Sequence, residues 1–300
     1  MVVKRTLCYA SAPMSADARG TAVEAARAAG ALLRRHLGGR RRVQIKGAPS
    51  DVVTEMDRRA EALIVGRLRA RFPDHAILAE ERGVVAGAGR HRWIVDPLDG
   101  TTNYARGLPI FGVSIALAVD GVVTLGVVYD PMREECFVAE RGRGATLDGR
   151  RLSVSATRRL DAALVATGLE YSIGWTRSTN LAEHVALLAR CRSVRELGSA
   201  VLCLAAVAAG RLDAFWELEL GAWDVAAGGL LVAEAGGRLT DPAGGPLDLA
   251  APAVVASNGR IHRRLLRVLA DARRRPRVRP APARGHRRRA PLTRAADGGG

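Results

Sequence analysis

The sequence predicts a mixed fold of the α+β / α/β class, built from two halves that pack closely and share a cleft. Three observations carry that expectation. Helix-like segments near the start give way to β-branched runs joined by tight-turn dipeptides. From about Asp161 onward, strand-like and helix-like segments alternate, which predicts a second α/β layer. The chain, 300 residues and 48% hydrophobic, is long and apolar enough to bury a large layered core.

In order, Asp17 to Leu37 is alanine-rich with recurring apolar positions and predicts a helix that Gly38-Gly39 terminates. A second helix is expected over Thr54 to Phe72, stopped by Pro73. Ala76-Ile77-Leu78 and Ile94-Val95 read as buried strand segments. Val113 to Val119 and Val122 to Tyr129 are strands joined by Asp120-Gly121, a type I′ hairpin signal, and Asp148-Gly149 marks another hairpin between Ala145 and Val154. The first half therefore reads as helices followed by an antiparallel sheet. The second half reads as a strand at Ala163 to Ala166, helices at Leu181 to Cys191 and Ser199 to Gly210, and a strand at Asp213 to Glu217. A helix at Trp223 to Ala235, a strand at Ala253 to Ala256 and a helix at Ile261 to Ala272 complete it. The expected organisation is a ragged leader over 1–16, with Met14 as a candidate start, halves over 17–155 and 156–272, and a tail over 273–300.

Composition narrows the function. The formal charge of +16 is concentrated at the end, where residues 271–300 hold ten arginines against two aspartates. Rich in Arg, Pro, Ala and Gly, that tail cannot bury enough apolar surface to order itself and reads as disordered. Cys8, Cys136, Cys191 and Cys203 form no Cys-x-x-Cys pair and no cysteine-histidine cluster, so neither a disulfide framework nor a zinc site is indicated, and a cytoplasmic location is expected. The best apolar run, Ser199 to Ala209, is about half of what a bilayer span requires, so no membrane role is expected.

The segment Asp96-Pro97-Leu98-Asp99-Gly100-Thr101-Thr102-Asn103 is the most informative. Two carboxylates follow a buried strand, Pro97 interrupts regular continuation, and Gly100 allows close approach of a ligand to the backbone. A helix beginning here would turn free N–H groups toward an anion. Three other acidic motifs belong with it: Asp51-Val52-Val53-Thr54-Glu55-Met56-Asp57, Glu80-Glu81, and Trp223-Asp224. Taken singly these are turn dipeptides, N-caps, a solvated loop and a first-turn carboxylate. Their positions at the rims of core elements favour a joint role, because hard cations such as Mg2+ take oxygen ligands from a few carboxylates together with substrate phosphate.

With Lys46 through Asp57, Ile77-Leu78-Ala79-Glu80-Glu81, Trp93 through Tyr104, Gly198-Ser199-Ala200, and Glu217 with Trp223 through Gly228, the chain resembles the inositol monophosphatase family over roughly Asp17 to Ala272. The family comprises Mg2+-dependent, lithium-sensitive sugar phosphatases. The resemblance implies a five-layered αβαβα sandwich, a homodimer, and hydrolysis of a small phosphate monoester by metal-activated water. It further implies that Glu80, Asp96 and the Leu98 carbonyl hold a first metal, and that Asp96, Asp99 and Asp224 hold a second. The N–H groups of Gly100 and Thr101 would cradle phosphate, and the Thr101 hydroxyl, paired with Asp57, would orient the attacking water beside Glu80. Ala200 through its backbone, Glu217 and Asp224 would face the substrate's hydroxyls, and Lys46 would supply positive charge over the site.

The chain departs from the family pattern at Tyr104, where phenylalanine is common, and at Gly168-Leu169-Glu170-Tyr171, while Trp216 and Glu219 are expected to alter the pocket. Inositol 1-phosphate is the expected substrate. Histidinol phosphate, fructose 1,6-bisphosphate and 3′-phosphoadenosine 5′-phosphate are the alternatives. A non-enzymatic alternative is RNA or transcription-machinery binding through Arg273 to Arg294, since arginine-rich tails bind phosphate backbones.

Overall fold

The computed structural model describes residues 16–39, 43–45, 52–87, 89–168 and 180–274. The leader to residue 15, Lys46, Asp51, Leu169-Glu170-Tyr171 and the tail from 275 lie outside the described residues.

Helix α1 (Ala16–His36) and helix α2 (Glu55–Arg71) match the expected helices, and an antiparallel ribbon of β1 (Val43–Ile45) and β2 (Val52–Thr54) lies between them in sequence. There follow β3 (Ala76–Ala79), β4 (Gly83–Val85), β5 (His91–Asp99), the short helix α3 (Thr101–Ala105), β6 (Gly112–Val119), β7 (Val122–Asp130), β8 (Glu135–Glu140), β9 (Gly144–Leu147) and β10 (Arg150–Arg151). The second half comprises β11 (Leu164–Thr167), α4 (Leu181–Leu188), β12 (Ser193–Glu196), α5 (Ala200–Ala208), β13 (Ala214–Glu217), α6 (Ala222–Glu234), β14 (Arg238–Thr240), β15 (Val254–Ser257) and α7 (His262–Arg274).

The first large sheet has eight strands in the order β10-β9-β8-β7-β6-β5-β3-β4, and the second has five in the order β12-β11-β13-β15-β14. Three apolar clusters show how they stack. Ala22, Ala29 and Leu33 of α1, with Ile64 and Leu68 of α2, pack on one face of the eight-stranded sheet through Trp93, Val95, Ile115 and Val127. The opposite face, through Ile94, Ala116 and Val128, meets α5 and α6, which in turn meet Phe215 and Ala256 of the second sheet. The far side of that sheet, through Val165, Trp216 and Val255, is covered by Leu187 of α4 and by Leu265 and Leu269 of α7. The layers thus run α, β, α, β, α, the sandwich that the resemblance implied.

The central helices explain the Ala- and Gly-rich sequences of α5 and α6. Flanked by sheets on both sides, they have no face for long side chains, and their residues are buried nearly all round. Gly126 of β7 sits so close to α6 that a Cβ there would lie 2.7 Å from the Ala227 carbonyl oxygen and 2.9 Å from its Cα. Asp120 and Gly121 take left-handed φ values of 50° and 78°, as do Asp148 and Gly149 at 46° and 82°, so both hairpin turns form as the dipeptides predict.

Two expectations need correction. The first sheet is not wholly antiparallel, because β3 and β5 pair in parallel and place the ends of both strands on the same rim. Trp216 does not shape a pocket, since alternation along β13 buries its ring in the outer cluster with α7, while Phe215 faces inward. Tyr104, in contrast, is accommodated: its ring is fully buried and its hydroxyl donates to the Leu33 carbonyl at 2.9 Å.

Gly126→Ala should destabilise the protein by about 1–3 kcal/mol, since overpacking against backbone cannot relax by a rotamer change. Chemical denaturation of the variant, with the slope unchanged, measures this.

Candidate functional site

The sequence of β5 determines where its acids point. Trp93 and Val95 face α1 and α2 while Ile94 faces the central helices, so Asp96 continues the Ile94 side and looks toward α6. Between Asp96 and Asp99 the pairing with β6 shifts register at Pro97, and Leu98 turns back into the α1/α2 core. The shift brings both carboxylates to one rim. The Leu98 N–H donates to Asp96 Oδ1 at 3.0 Å and fixes the buried side chain.

Gly100 then adopts φ 90° and ψ 35°, and a Cβ there would meet the Ile110 and Gly198 carbonyl oxygens at 2.9 and 3.0 Å. Only glycine permits that left-handed turn within so tight a space. It leads into Thr101, whose hydroxyl lies 2.8 Å from Asp57 Oδ1 and 2.9 Å from the Leu98 carbonyl oxygen.

Asp57 and Asp224 are held by the same local device. In α2, the Thr54 N–H and hydroxyl both donate to Asp57 Oδ2, at 2.8 and 2.6 Å, while the Thr54 hydroxyl oxygen caps Met56 N–H at 3.1 Å. In α6, the Gly221 N–H donates to Asp224 Oδ2 at 2.6 Å. Each acid spends one oxygen on its helix start and presents the other to the site. The reading of Asp224 as a first-turn carboxylate is therefore correct, and for both acids the helix-start bond is compatible with a second role.

Asp99 belongs to the first half but is held by the second. The Ser199 hydroxyl and the Val201 N–H, the latter at 3.0 Å, donate to Asp99 Oδ2, and the backbone amide of Ala200 also faces that carboxylate. Ser199 simultaneously caps α5 by accepting from Leu202 N–H at 3.2 Å. Asn103 fastens the same junction, donating from Nδ2 to the Ile110 and Leu197 carbonyls at 2.9 and 2.7 Å. Ser114 donates to the Trp223 carbonyl at 2.9 Å and ties β6 to the start of α6. Sequence reasoning assigned no role to Ser199 or Asn103, for the first of which a serine just before an apolar helical run was the available signal, whereas Thr54 is the N-cap, one of the two candidates for it with Asp51.

Asp96, Asp99 and Asp224 bring carboxylate oxygens within 4.8 Å of one another. Glu80, in the turn after β3, stands outside this trio, yet its charge helps push up Asp96 and Asp224. Burial is the main cause throughout. It raises Asp96 well above the usual carboxylate range, Asp99 to about 6 and Asp224 to about 8, with neighbouring acids adding to the rise at Asp96 and Asp224. Glu217, at the end of β13, is pushed to about 8 by burial and then by Asp99 and Asp224. Its carboxylate lies against Gly168, where a Cβ would come within 2.4 Å of it. Asp57 is raised by burial, against the opposing bonds from Thr54 and Thr101.

The predicted residues Asp57, Glu80, Asp96, Leu98, Asp99, Gly100, Thr101, Ala200, Glu217 and Asp224 thus sit on or beside one rim at the junction of the two halves, while Lys46 lies outside the described residues. The donor set fits a hard divalent cation: all its members are oxygens, and the burial and like charge that raise Asp96 and Asp224 are relieved by a cation.

The model of the inositol monophosphatase family matches residues 16–274. An inositol-1-monophosphatase of Synechocystis is 44% identical over 250 residues, covering 83% of this chain and 87% of that protein. A Nus factor SuhB of Escherichia coli is 43% identical over 253 residues, covering 83% and 94%. Among solved structures, the extragenic suppressor protein suhB of Bartonella henselae superposes with a TM-score of 0.80 at 43% identity, covering 84% of this chain and 98% of that one. The inositol monophosphatase of Anabaena (Nostoc) gives 0.77 at 42% identity, covering 84% and 94%.

The raised acids give a signed prediction. In the unfolded chain they ionise near pH 4, so from there to about pH 8 the native state binds more protons and loses stability as pH rises. His262, held down to about 4 by burial, acts oppositely, but only below its ordinary 6.5. The melting temperature of chelator-treated protein should fall between pH 6.5 and 8.5. Added Mg2+ should raise it more at pH 8.5 than at pH 6.5, and a flat metal-free profile would contradict the assignment.

Proposed function

The chain belongs to the inositol monophosphatase family and is a phosphoric monoester hydrolase, and we propose that it is a Mg2+-dependent phosphatase whose substrate is inositol 1-phosphate. The observation that carries this reading is the trio of Asp96, buried, with Asp99 and Asp224, half-buried, beside the Thr101–Asp57 pair. Two relatives named inositol-1-monophosphatase, at 44% and 45% identity, support the choice of substrate.

In this reading Glu80, Asp96 and the Leu98 carbonyl would hold one cation, and Asp96, Asp99 and Asp224 another. Bound there, the cations would neutralise the phosphate and lower the pKa of a water. The protein's own groups position the reactants. Because the Thr101 hydroxyl donates its hydrogen bond to the Asp57 carboxylate or to the Leu98 carbonyl, its lone pairs are left to accept a hydrogen bond from the attacking water. Glu80, across the rim, would accept a hydrogen bond from the water's other O–H and take that one proton as the water attacks. The N–H groups of Gly100 and Thr101, brought forward by the left-handed turn, would receive phosphate oxygens. Glu217, Asp224 and the Ala200 backbone would meet the hydroxyls of the alcohol portion, with a protonated Glu217 able to donate as well as accept. Lys46 would add positive charge over the phosphate. A homodimer in the cytoplasm is the expected setting.

Asp99→Asn keeps an oxygen to accept from Ser199 and Val201 but removes a charge from the trio. It should lower kcat by at least about 100-fold while leaving a cooperative thermal transition. Near-normal turnover would refute the site.

Ranking inositol 1-phosphate, histidinol phosphate, fructose 1,6-bisphosphate and 3′-phosphoadenosine 5′-phosphate by kcat/KM with Mg2+ should place inositol 1-phosphate first. A large preference for histidinol phosphate would replace it as the substrate.

A further inference from the structure

Helix α2 carries a second acid on its buried face. Met56, Asp57, Ala60, Glu61, Ile64, Val65 and Leu68 are its buried residues, and Glu61 is 0% exposed among mostly apolar neighbours. A carboxylate withdrawn from water needs compensating donors, and here they come from elsewhere in the chain. Glu61 Oε2 accepts from the Glu81 N–H at 2.8 Å and the Arg82 N–H at 3.4 Å, while Arg82 Nε lies 3.0 Å from Oε1.

These donors form the turn between β3 and β4. Ala79 pairs with Gly83, so the connection is Glu80-Glu81-Arg82 alone. Its first residue is tied to β5 through the Glu80 N–H and the Val95 carbonyl at 3.3 Å, and its other two are tied to Glu61. Asp57 stands four residues before Glu61, one helical turn away on the same face, and holds Thr101. Two consecutive turns of one helix therefore grip the two segments that bear Glu80 and Thr101.

We propose that Glu61 is a positioning residue, which fixes the Glu80–Arg82 turn so that the Glu80 carboxylate keeps its place relative to Thr101. The proposal rests on the reading of Glu80 as a site residue. An apolar side chain would fill the same space, so packing alone does not call for a carboxylate at this position. A displacement of about 1 Å at a reacting group can cost on the order of 100-fold in rate.

The test compares Glu61→Met, which keeps the volume and removes the acceptor, with Glu61→Gln, which keeps an acceptor at the same reach. Three quantities are read: kcat and KM with Mg2+, Mn2+ binding by electron paramagnetic resonance, and thermal unfolding. Glu61→Met should lose about 10- to 100-fold in kcat with KM within about threefold, and should bind Mn2+ more weakly by about tenfold. Glu61→Gln should recover most of both. In a Glu80→Gln background, Glu61→Met should weaken Mn2+ binding by less than about twofold, because the group it positions is already altered. If Glu61→Met does not fold, Glu61→Asp, which withdraws the carboxylate by one methylene, takes its place with the same expectations.

Wild-type kcat and Mn2+ affinity in the folded variant would overturn the proposal, as would a Mn2+ effect undiminished by Glu80→Gln, or a Glu61→Gln as impaired as Glu61→Met. Wild-type turnover in Glu80→Gln alone would instead remove the reading of Glu80, and the proposal with it.

Discussion

Like charge held out of water is the constraint on which this molecule is organised. Asp96, Asp99 and Asp224 come within 4.8 Å of one another at a place that burial makes hostile to ions. Left alone, such a cluster would be driven apart or kept protonated. It persists because each acid is anchored by bonds that do not depend on its neighbours: Leu98 N–H for Asp96, Ser199 and Val201 for Asp99, Gly221 N–H for Asp224. The anchors come from a strand and from two helix starts, and the five-layered stack is what brings those three elements to one rim.

The stack in turn depends on small residues. Placing two helices between two sheets requires close approach on both sides, and Gly126 against Ala227 at the first sheet and Gly229 against Leu239 of the second provide it, while Gly228 against Leu204 lets the two helices meet. A bulkier α6 would stand away from β5 and carry Asp224 with it. The packing of an alanine- and glycine-rich helix is thus part of the site, although none of those residues touches it.

Much of this was legible in the sequence. Helices with clear periodicity and hairpins with Asp-Gly turns fell where expected, since those signals are local. The acidic motifs were legible because turns and caps announce strand and helix ends. Strand β8 was not, since Cys136, Phe137, Val138 and Ala139 are all buried and leave no alternation to read; β12, reading Ser-Val-Arg-Glu at the sheet edge, has no apolar run at all. The parallel pairing of β3 with β5 escaped because pairing partners leave no mark on either strand. The hold of Ser199 on Asp99 spans 100 residues and could be read only once the halves were docked. Trp216 was misplaced because, of two adjacent aromatics, alternation alone decides which faces the central helices and which the outer layer.

The paired use of Asp57 and Asp224 as helix-start acceptors bears on how such a chain could change over generations. Each acid closes a ring of bonds that begins a helix, so deleting its side chain would cost the fold as well as the chemistry. A descendant that gave up hydrolysis while keeping its shape would remain under selection for an oxygen acceptor at both positions. Its abandoned site would drift toward asparagine sooner than alanine, and would still look, in outline, like a working one.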